Sequence, residues 1–213
     1  MSERTIVVVS AGLSQPSSSR LLADRLAGAT ARELEALGHT VDVETIELRD
    51  HAHAIVDTML TGFSTGELAR AIDILTKADG LILVTPLFTT TYSGLFKSFI
   101  DILDKDSLTG MPVLLGATGG TSRHSLALDY SVRPLLTYLR ADVIPTSVFA
   151  ATDDWATSGG TPAENKHDDV NPLPQRIERA GKALAARASA RENEGPADPF
   201  ANAPSFLDLL GNS

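Results

Sequence analysis

The chain has 213 residues, 43% of them hydrophobic and 21% charged, which fits one α/β domain and argues against a wholly disordered or low-complexity protein. Its 18 basic and 27 acidic residues give a formal charge of −9, so neither nucleic acid nor an anionic membrane surface is expected as a partner, although a local pocket for one phosphorylated ligand is still allowed. With no cysteine there is no disulfide, no thiolate metal site and no cysteine nucleophile.

The N-terminal stretch carries Glu3 within its short basic region and an apolar run only a strand long, so no secretory signal is expected. No run approaches the roughly 18 apolar residues of a membrane span, and the expected location is cytoplasmic. Residues 5–10 read as a buried strand. Residues 17–37 then read as a helix with Leu21, Leu22, Leu26, Leu34 and Leu37 at helical spacing, stopped by Gly38. Residues 40–48 alternate polar and apolar, as an edge strand does. Ser64 and Glu67 have capping-box spacing and predict a helix presenting Leu68, Ile72 and Leu75. His51 and His53 are read as loop surface.

Residues 80–85, 112–117 and 142–149 supply three further strands. The runs at 5–10, 80–85 and 112–117 lack a polar alternate face, as expected when helices cover both sides of a parallel sheet. Helices are predicted over 92–103, 122–139 and 173–188. Residues 152–172, polar and bearing the pairs Asp153-Asp154 and Asp168-Asp169, read as a long loop. The expected division is a domain at 1–191 and an acidic and apolar tail at 192–213. That tail ends in Phe206-Leu-Asp-Leu-Leu210 and is read either as a loose terminus or as an apolar clip. The alternation predicts a three-layer α/β fold, with a five-stranded parallel sheet of order 2-1-3-4-5 and helices on both faces.

Ligands of such sheets collect at the carboxyl ends of the strands, near the switch in strand order. Three loops there are unusual. Residues 10–20 offer Ser10, Ser14, Ser17, Ser18 and Ser19, with Leu13 among them, and backbone amides at a helix start, which suits a phosphate monoester. The loop is neither a dinucleotide fingerprint nor a Walker A motif, and Arg20 is assigned the ordinary role of a solvent-facing helix arginine. Pro86, Leu87 and Phe88 follow a buried strand and can offer amides and apolar surface to a flat ring. Phe88 and Tyr92 are each read as a ring contact or as packing, and Lys97 as a solvated or inter-subunit charge. Thr118, Gly119 and Gly120 let backbone come close to a ligand and satisfy the polar edge of a heterocycle, with His124 just beyond as a ligand contact or a locally bonded histidine. A phosphate, a planar ring and a polar ring edge together describe FMN. On this reading Gly119→Val blocks flavin binding without unfolding the domain.

With these residues the chain resembles the NADPH-dependent FMN reductases of the flavodoxin-like superfamily, above all those serving two-component flavin monooxygenases. The likeness rests on Ser14 to Ser19, Thr85-Pro86, Tyr92-Ser-Gly94 with Lys97, 117–121 with His124, and 127–134, and spans roughly residues 4 to 150. It implies a flavodoxin-like fold, FMN bound through the three loops, NADPH (NADH possible) as reductant, and a homo-oligomer, dimer or tetramer. It further implies reduced FMN passed to a flavin-dependent monooxygenase. In some relatives a tyrosine placed like Tyr130 lies at a subunit interface in a helix widened by one residue, a feature linked with flavin release. From the residues alone Tyr130 reads as packing. Many relatives carry arginine where Leu13-Ser14 stands, so phosphate is expected to be held by hydroxyls and amides.

Hydride transfer to a flavin needs orientation rather than a side-chain acid, base or nucleophile, so no catalytic residue is assigned. The five histidines show no metal-ligand spacing, and no metal is expected. Two alternatives remain open: an FMN-retaining quinone or azo reductase, and a flavodoxin-like electron carrier. A non-catalytic module using the phosphate loop alone is a third.

Overall fold

Alternate side chains of the central strands enter two separate cores, which explains their unbroken apolar sequences. In the computed structural model, which describes residues 2–156 and 172–191, β1 (Glu3–Ser10) sends Val7 and Val9 to one layer and Ile6 and Val8 to the other. Leu81 and Leu83 part from Ile82 and Val84 in β3 (Gly80–Phe88) in the same way. So do Val113 and Leu115 from Leu114 in β5 (Pro112–Gly119). One layer is closed by α1 (Ser18–Ala36) and α7 (Leu173–Ala190). The other is closed by α2 (Ala52–Thr61), α3 (Gly66–Thr76), α4 (Gly94–Asp101) and α5 (Arg133–Tyr138).

The edge strand β2 (Thr40–Glu47) pairs in parallel with β1 alone, the position its alternation predicts, and leaves Val43 exposed as well as several of its polar residues. The main path runs β2-β1-β3-β5-β6, the expected flavodoxin-like arrangement, but the sheet has seven strands rather than five. One addition is β4 (Thr91–Tyr92), which folds back antiparallel on the end of β3. The other arises because the predicted fifth strand is split. Asp142–Val143 (β6) pairs with the start of β5 and Val148–Ala151 (β7) with its end. Pro145 between them has no N–H to give a ladder. The Arg133 guanidinium instead donates to the carbonyls of Val143 (3.4 Å), Ile144 (2.9 Å) and Pro145 (3.2 Å).

Several helix boundaries differ from the sequence reading. An additional helix, α2, carries the exposed His53, with His51 at its N-cap. No side-chain cap bond forms at the start of α3: Thr65 is the N-cap, and the Ser64–Glu67 capping box is not made. Tyr92 belongs to β4, so the predicted 92–103 helix begins at Gly94. The 122–139 helix is broken into a 3-10 turn (Ser122–His124), a π turn (Leu128–Val132) and α5. In the π turn the Arg133 N–H reaches back five residues to the Leu128 carbonyl. The ring of Pro134 would crowd the carbonyl of Tyr130 in a regular α-helix, and the widened turn lies where that clash would fall. Tyr130 is 79% exposed, not packed. Residues 152–156, expected as loop, form α6 (Thr152–Ala156), whereas 157–171 and the tail 192–213 lie outside the described residues. Among the described residues no helix is long and apolar enough to cross a membrane.

Candidate functional site

Register alone brings the three predicted loops to one end of the sheet. Ser10 at the end of β1 pairs with Val84, and two residues on Pro86 pairs with Thr118 of β5. The Ala11 N–H donates to the Val84 carbonyl (2.9 Å), carrying the ladder past the end of β1. The chain then folds back tightly at Gly12: a Cβ there would lie 2.0 Å from Ser17 Oγ, so any side chain at this position must displace the hydroxyl that caps α1. Ser17 is the N-cap of α1, its hydroxyl accepting from the Arg20 N–H (3.2 Å). Leu13, Ser14 and Ser18 are exposed along the loop, and Ser19 is buried. Ser10 Oγ, 1% exposed, has no hydrogen-bond partner among the described residues. An orphaned buried hydroxyl costs free energy unless something meets it, so Ser10 can take a further polar group.

Arg20 does not face solvent freely. It bonds Asp24 (2.7 Å) and Glu47 (2.5 Å), and the Asp24 hydrogen bond above all raises its pKa, keeping it charged. Arg49 on the neighbouring 3-10 turn (Leu48–His51) pairs with Asp50 (3.3 Å). The cations nearest the serine loop are thus already matched by carboxylates.

The second loop is a stapled hairpin. Thr85 Oγ1 accepts from the Ser93 N–H (3.0 Å) and donates to the Pro86 carbonyl (2.9 Å), while Ser93 Oγ caps α4 by accepting from the Phe96 N–H (3.2 Å). Pro86 and Leu87 are half-buried and Phe88 is 48% exposed at the tip. Thr89 and Thr90, which make the turn, have φ of 51° and 73°. This left-handed geometry is unfavourable for β-branched residues, and the strain lies at the rim of the site. Tyr92 packs on Phe96 with ring centroids 6.2 Å apart. Lys97 is tied to Asp101 (2.6 Å) on its own helix.

Thr118 in the third loop is buried, and its hydroxyl lies 2.8 Å from that of Ser19. A Cβ at Gly119 would come within 2.9 Å of Phe149 Cζ, so Gly119→Val strikes the core as well as any ligand. A Cβ at Gly120 would meet nothing within 4 Å, making that residue the cleaner probe. Thr121 Oγ1 accepts from the Arg123 N–H (3.4 Å), and His124 is half-buried in the following 3-10 turn. Ser10, Ser17–Ser19, Pro86–Phe88 and 118–120 therefore lie at one end of the sheet, with Leu13 and Ser14 in the loop after β1 and His124 in the turn after β5. Sequence reasoning missed Thr85 and Ser93 as the staple of the second loop. The Ser-Gly-Leu-Phe helix start was the available signal for Ser93.

A groove of about 350 Å³ lies elsewhere, between α4 and α5, lined by Ile100, Leu135 and Tyr138 among others. It holds none of the predicted site residues.

Comparison with known proteins gives a consistent picture. The sequence model of the family described as NADPH-dependent FMN reductase matches residues 4–156. An FMN reductase (NADPH) of Pseudomonas aeruginosa is 33% identical over 180 residues, covering 84% of this chain and 90% of that one. An NADH-dependent FMN reductase of Pseudomonas putida is 30% identical over 182 residues, covering 85% and 91%. Among solved structures, an oxidoreductase from Corynebacterium diphtheriae superposes with a TM-score of 0.80 at 44% identity, covering 89% of this chain and 99% of that one. The apo form of an NADH:FMN oxidoreductase superposes with a TM-score of 0.70 at 26% identity, covering 90% and 91%.

Proposed function

Since the chain belongs to the NADPH-dependent FMN reductase family and is an NAD(P)H:FMN oxidoreductase, we propose that FMN is held by the three loops at the carboxyl ends of β1, β3 and β5. The observation that carries this assignment is the convergence of Ser10, Ser17–Ser19, Pro86–Phe88 and 118–120 on one end of the sheet, around a buried hydroxyl that has no described partner. Ser10, Ser14, Ser17, Ser18 and Ser19, together with the α1 amides, hold the phosphate at the positive end of the helix dipole; Leu13 lies alongside. Pro86, Leu87 and Phe88 flank the ring, and Thr118, Gly119, Gly120 and His124 meet its polar edge. Bound there, FMN supplies the N5 position that accepts hydride from C4 of NADPH or NADH. The protein contributes distance and orientation, and its loop amides favour negative charge on the ring.

Three finer readings complete the proposal. Reduced FMN leaves for a flavin-dependent monooxygenase, a reading supported by the π turn that presents Tyr130 to solvent. The protein is a homo-oligomer, dimer or tetramer, supported by exposed Val56, Met59, Leu60 and Phe63 on and just beyond α2 and by Tyr138 on α5. It works in the cytoplasm, with residues 1–191 as the catalytic domain and 192–213 as an appended tail.

The test is anaerobic oxidation of NADPH and NADH, with and without added FMN, on protein whose bound flavin has been quantified. Turnover that rises with added FMN from nearly colourless protein is the expected result. A yellow protein indifferent to added FMN yet active on quinones supports the flavin-retaining alternative. No oxidation of either nucleotide leaves an electron carrier or a non-catalytic binding module and overturns the proposal.

A further inference from the structure

Many of the described cations are already engaged. Arg20 and Arg49 bond carboxylates beside the serine loop, and Lys97 bonds Asp101. Arg133 bonds Asp129 and three backbone carbonyls. Arg176 bonds Asp154 and the Phe149 carbonyl, and Arg25 lies 5.2 Å over the Trp155 ring. Arg123 differs: it is exposed, and among the described residues its guanidinium meets neither a carboxylate nor an aromatic ring. Only its backbone N–H is used, by Thr121. It stands three residues past Gly120, on the solvent side of a turn whose next residue, His124, is half-buried.

We propose that Arg123 reads the phosphate groups of the incoming nicotinamide nucleotide, making it a specificity-determining residue. The assignment rests on the nucleotide oxidation proposed above. A nicotinamide stacked on the exposed face of a ring edged by Gly119 and Gly120 leaves its phosphates on the solvent side of that loop, where Arg123 stands. The rest of the chain is unsuited to attract them: its net charge is −9, and Arg20 and Arg49 beside the serine loop are paired with carboxylates. A guanidinium free of internal partners presents its fork of N–H donors to a phosphate without first breaking an ion pair. Two phosphates have this chemistry, the pyrophosphate common to both nucleotides and the 2′-phosphate of NADPH alone.

The experiment compares wild type, Arg123→Gln and Arg123→Lys with three hydride donors: NADPH, NADH and the phosphate-free 1-benzyl-1,4-dihydronicotinamide. FMN affinity is measured by flavin fluorescence, and binding of 2′,5′-ADP and of ADP-ribose by calorimetry. For Arg123→Gln the expected result is a KM for NADPH raised about tenfold, the scale of one charge-assisted hydrogen bond. The loss is confined to phosphate-bearing donors, FMN affinity holds, and Arg123→Lys recovers part of it. A rise for NADPH alone, with weakened 2′,5′-ADP binding, assigns the 2′-phosphate; equal rises for NADH and weakened ADP-ribose binding assign the pyrophosphate. Unchanged KM for both nucleotides, or an equal loss with the benzyl donor, overturns the role of Arg123 while leaving the reductase reading intact. Wild-type protein that binds FMN yet oxidises neither nucleotide overturns both.

Discussion

The hydroxyls of Ser19 and Thr118 meet at 2.8 Å in the protein interior and join the first turn of α1 to the end of β5. This contact links the loop assigned to phosphate with the loop assigned to the polar ring edge. Movement of either loop away from the other costs this buried hydrogen bond.

Removing one of these hydroxyls strands the other. Thr118→Val leaves Ser19 Oγ buried without its partner, at a cost of about 1–3 kcal/mol. A domain of this size should then melt roughly 2–12 °C lower. Ser19→Ala should behave alike. The double variant should be no less stable than either single one, because no orphan is left. Strictly additive losses in calorimetric melts would show that the two hydroxyls act separately.

Ser10 predicts the opposite pattern. Its buried Oγ has no described partner, so Ser10→Ala removes a desolvated polar atom and gives up no internal bond. The flavin-free protein should melt at the same temperature or slightly higher. If the hydroxyl meets the phosphate, FMN affinity should fall about tenfold, while riboflavin, which has no phosphate, should be unaffected. Thermal shifts with each flavin decide it, and equal loss for both would place Ser10 away from the phosphate.

Much of this was readable because the central strands obey one constraint. Residues of β1, β3 and β5 feed two cores alternately, so their sequences must be apolar throughout and stand out as strands. The serine loop and the Gly119-Gly120 pair were legible for a similar reason, since each lies just past such a run. The breaks were not legible. Apolar spacing continues through Leu128, Val132 and Leu136 across a π turn; among the residues only Pro134 hints that the helix cannot run straight, whereas the family resemblance already pointed to a widened turn at Tyr130. The turn of the β3–β4 hairpin uses two threonines where Asn-Gly is the usual signal, so nothing announced it. The Ser19–Thr118 contact spans 99 residues and depends on which strands become neighbours, which local pattern does not encode.

The two adjacent glycines should separate binding from folding. Gly120→Val points into open space and should leave the melting temperature within about 2 °C, as surface changes do, while weakening FMN binding. Gly119→Val drives a side chain toward Phe149 and should cost about 1–3 kcal/mol by overpacking before any ligand is considered. Equal FMN affinity for Gly120→Val and wild type would remove the third loop from the site.

The Thr89-Thr90 turn holds two β-branched residues in left-handed backbone, and relieving that strain should stabilise the fold. Thr89→Asn with Thr90→Gly restores the residues favoured in such a turn and should add about 1 kcal/mol or more. If the strain serves to hold Phe88 at the mouth of the site, the same variant should bind FMN less tightly despite melting higher. A higher melting temperature with unchanged flavin affinity would make the strain a local compromise without a role in binding.

Stability away from the site turns on the crossing of α1 and α7. A Cβ at Gly181 would lie 2.7 Å from Ala29 Cβ and 2.9 Å from the backbone of Ala29 and Thr30. Backbone cannot swing aside as a flexible side chain can, so Gly181→Ala must push the two helices apart, despite the better helix propensity of alanine. A loss of about 1–3 kcal/mol is expected from overpacking, outweighing a propensity gain of roughly 1 kcal/mol. Ala29 lies about 15 Å along α1 from Ser19, so the FMN affinity of the folded variant should change much less than its stability. A Gly181→Ala protein as stable as wild type would mean that the helices separate more easily than this packing implies.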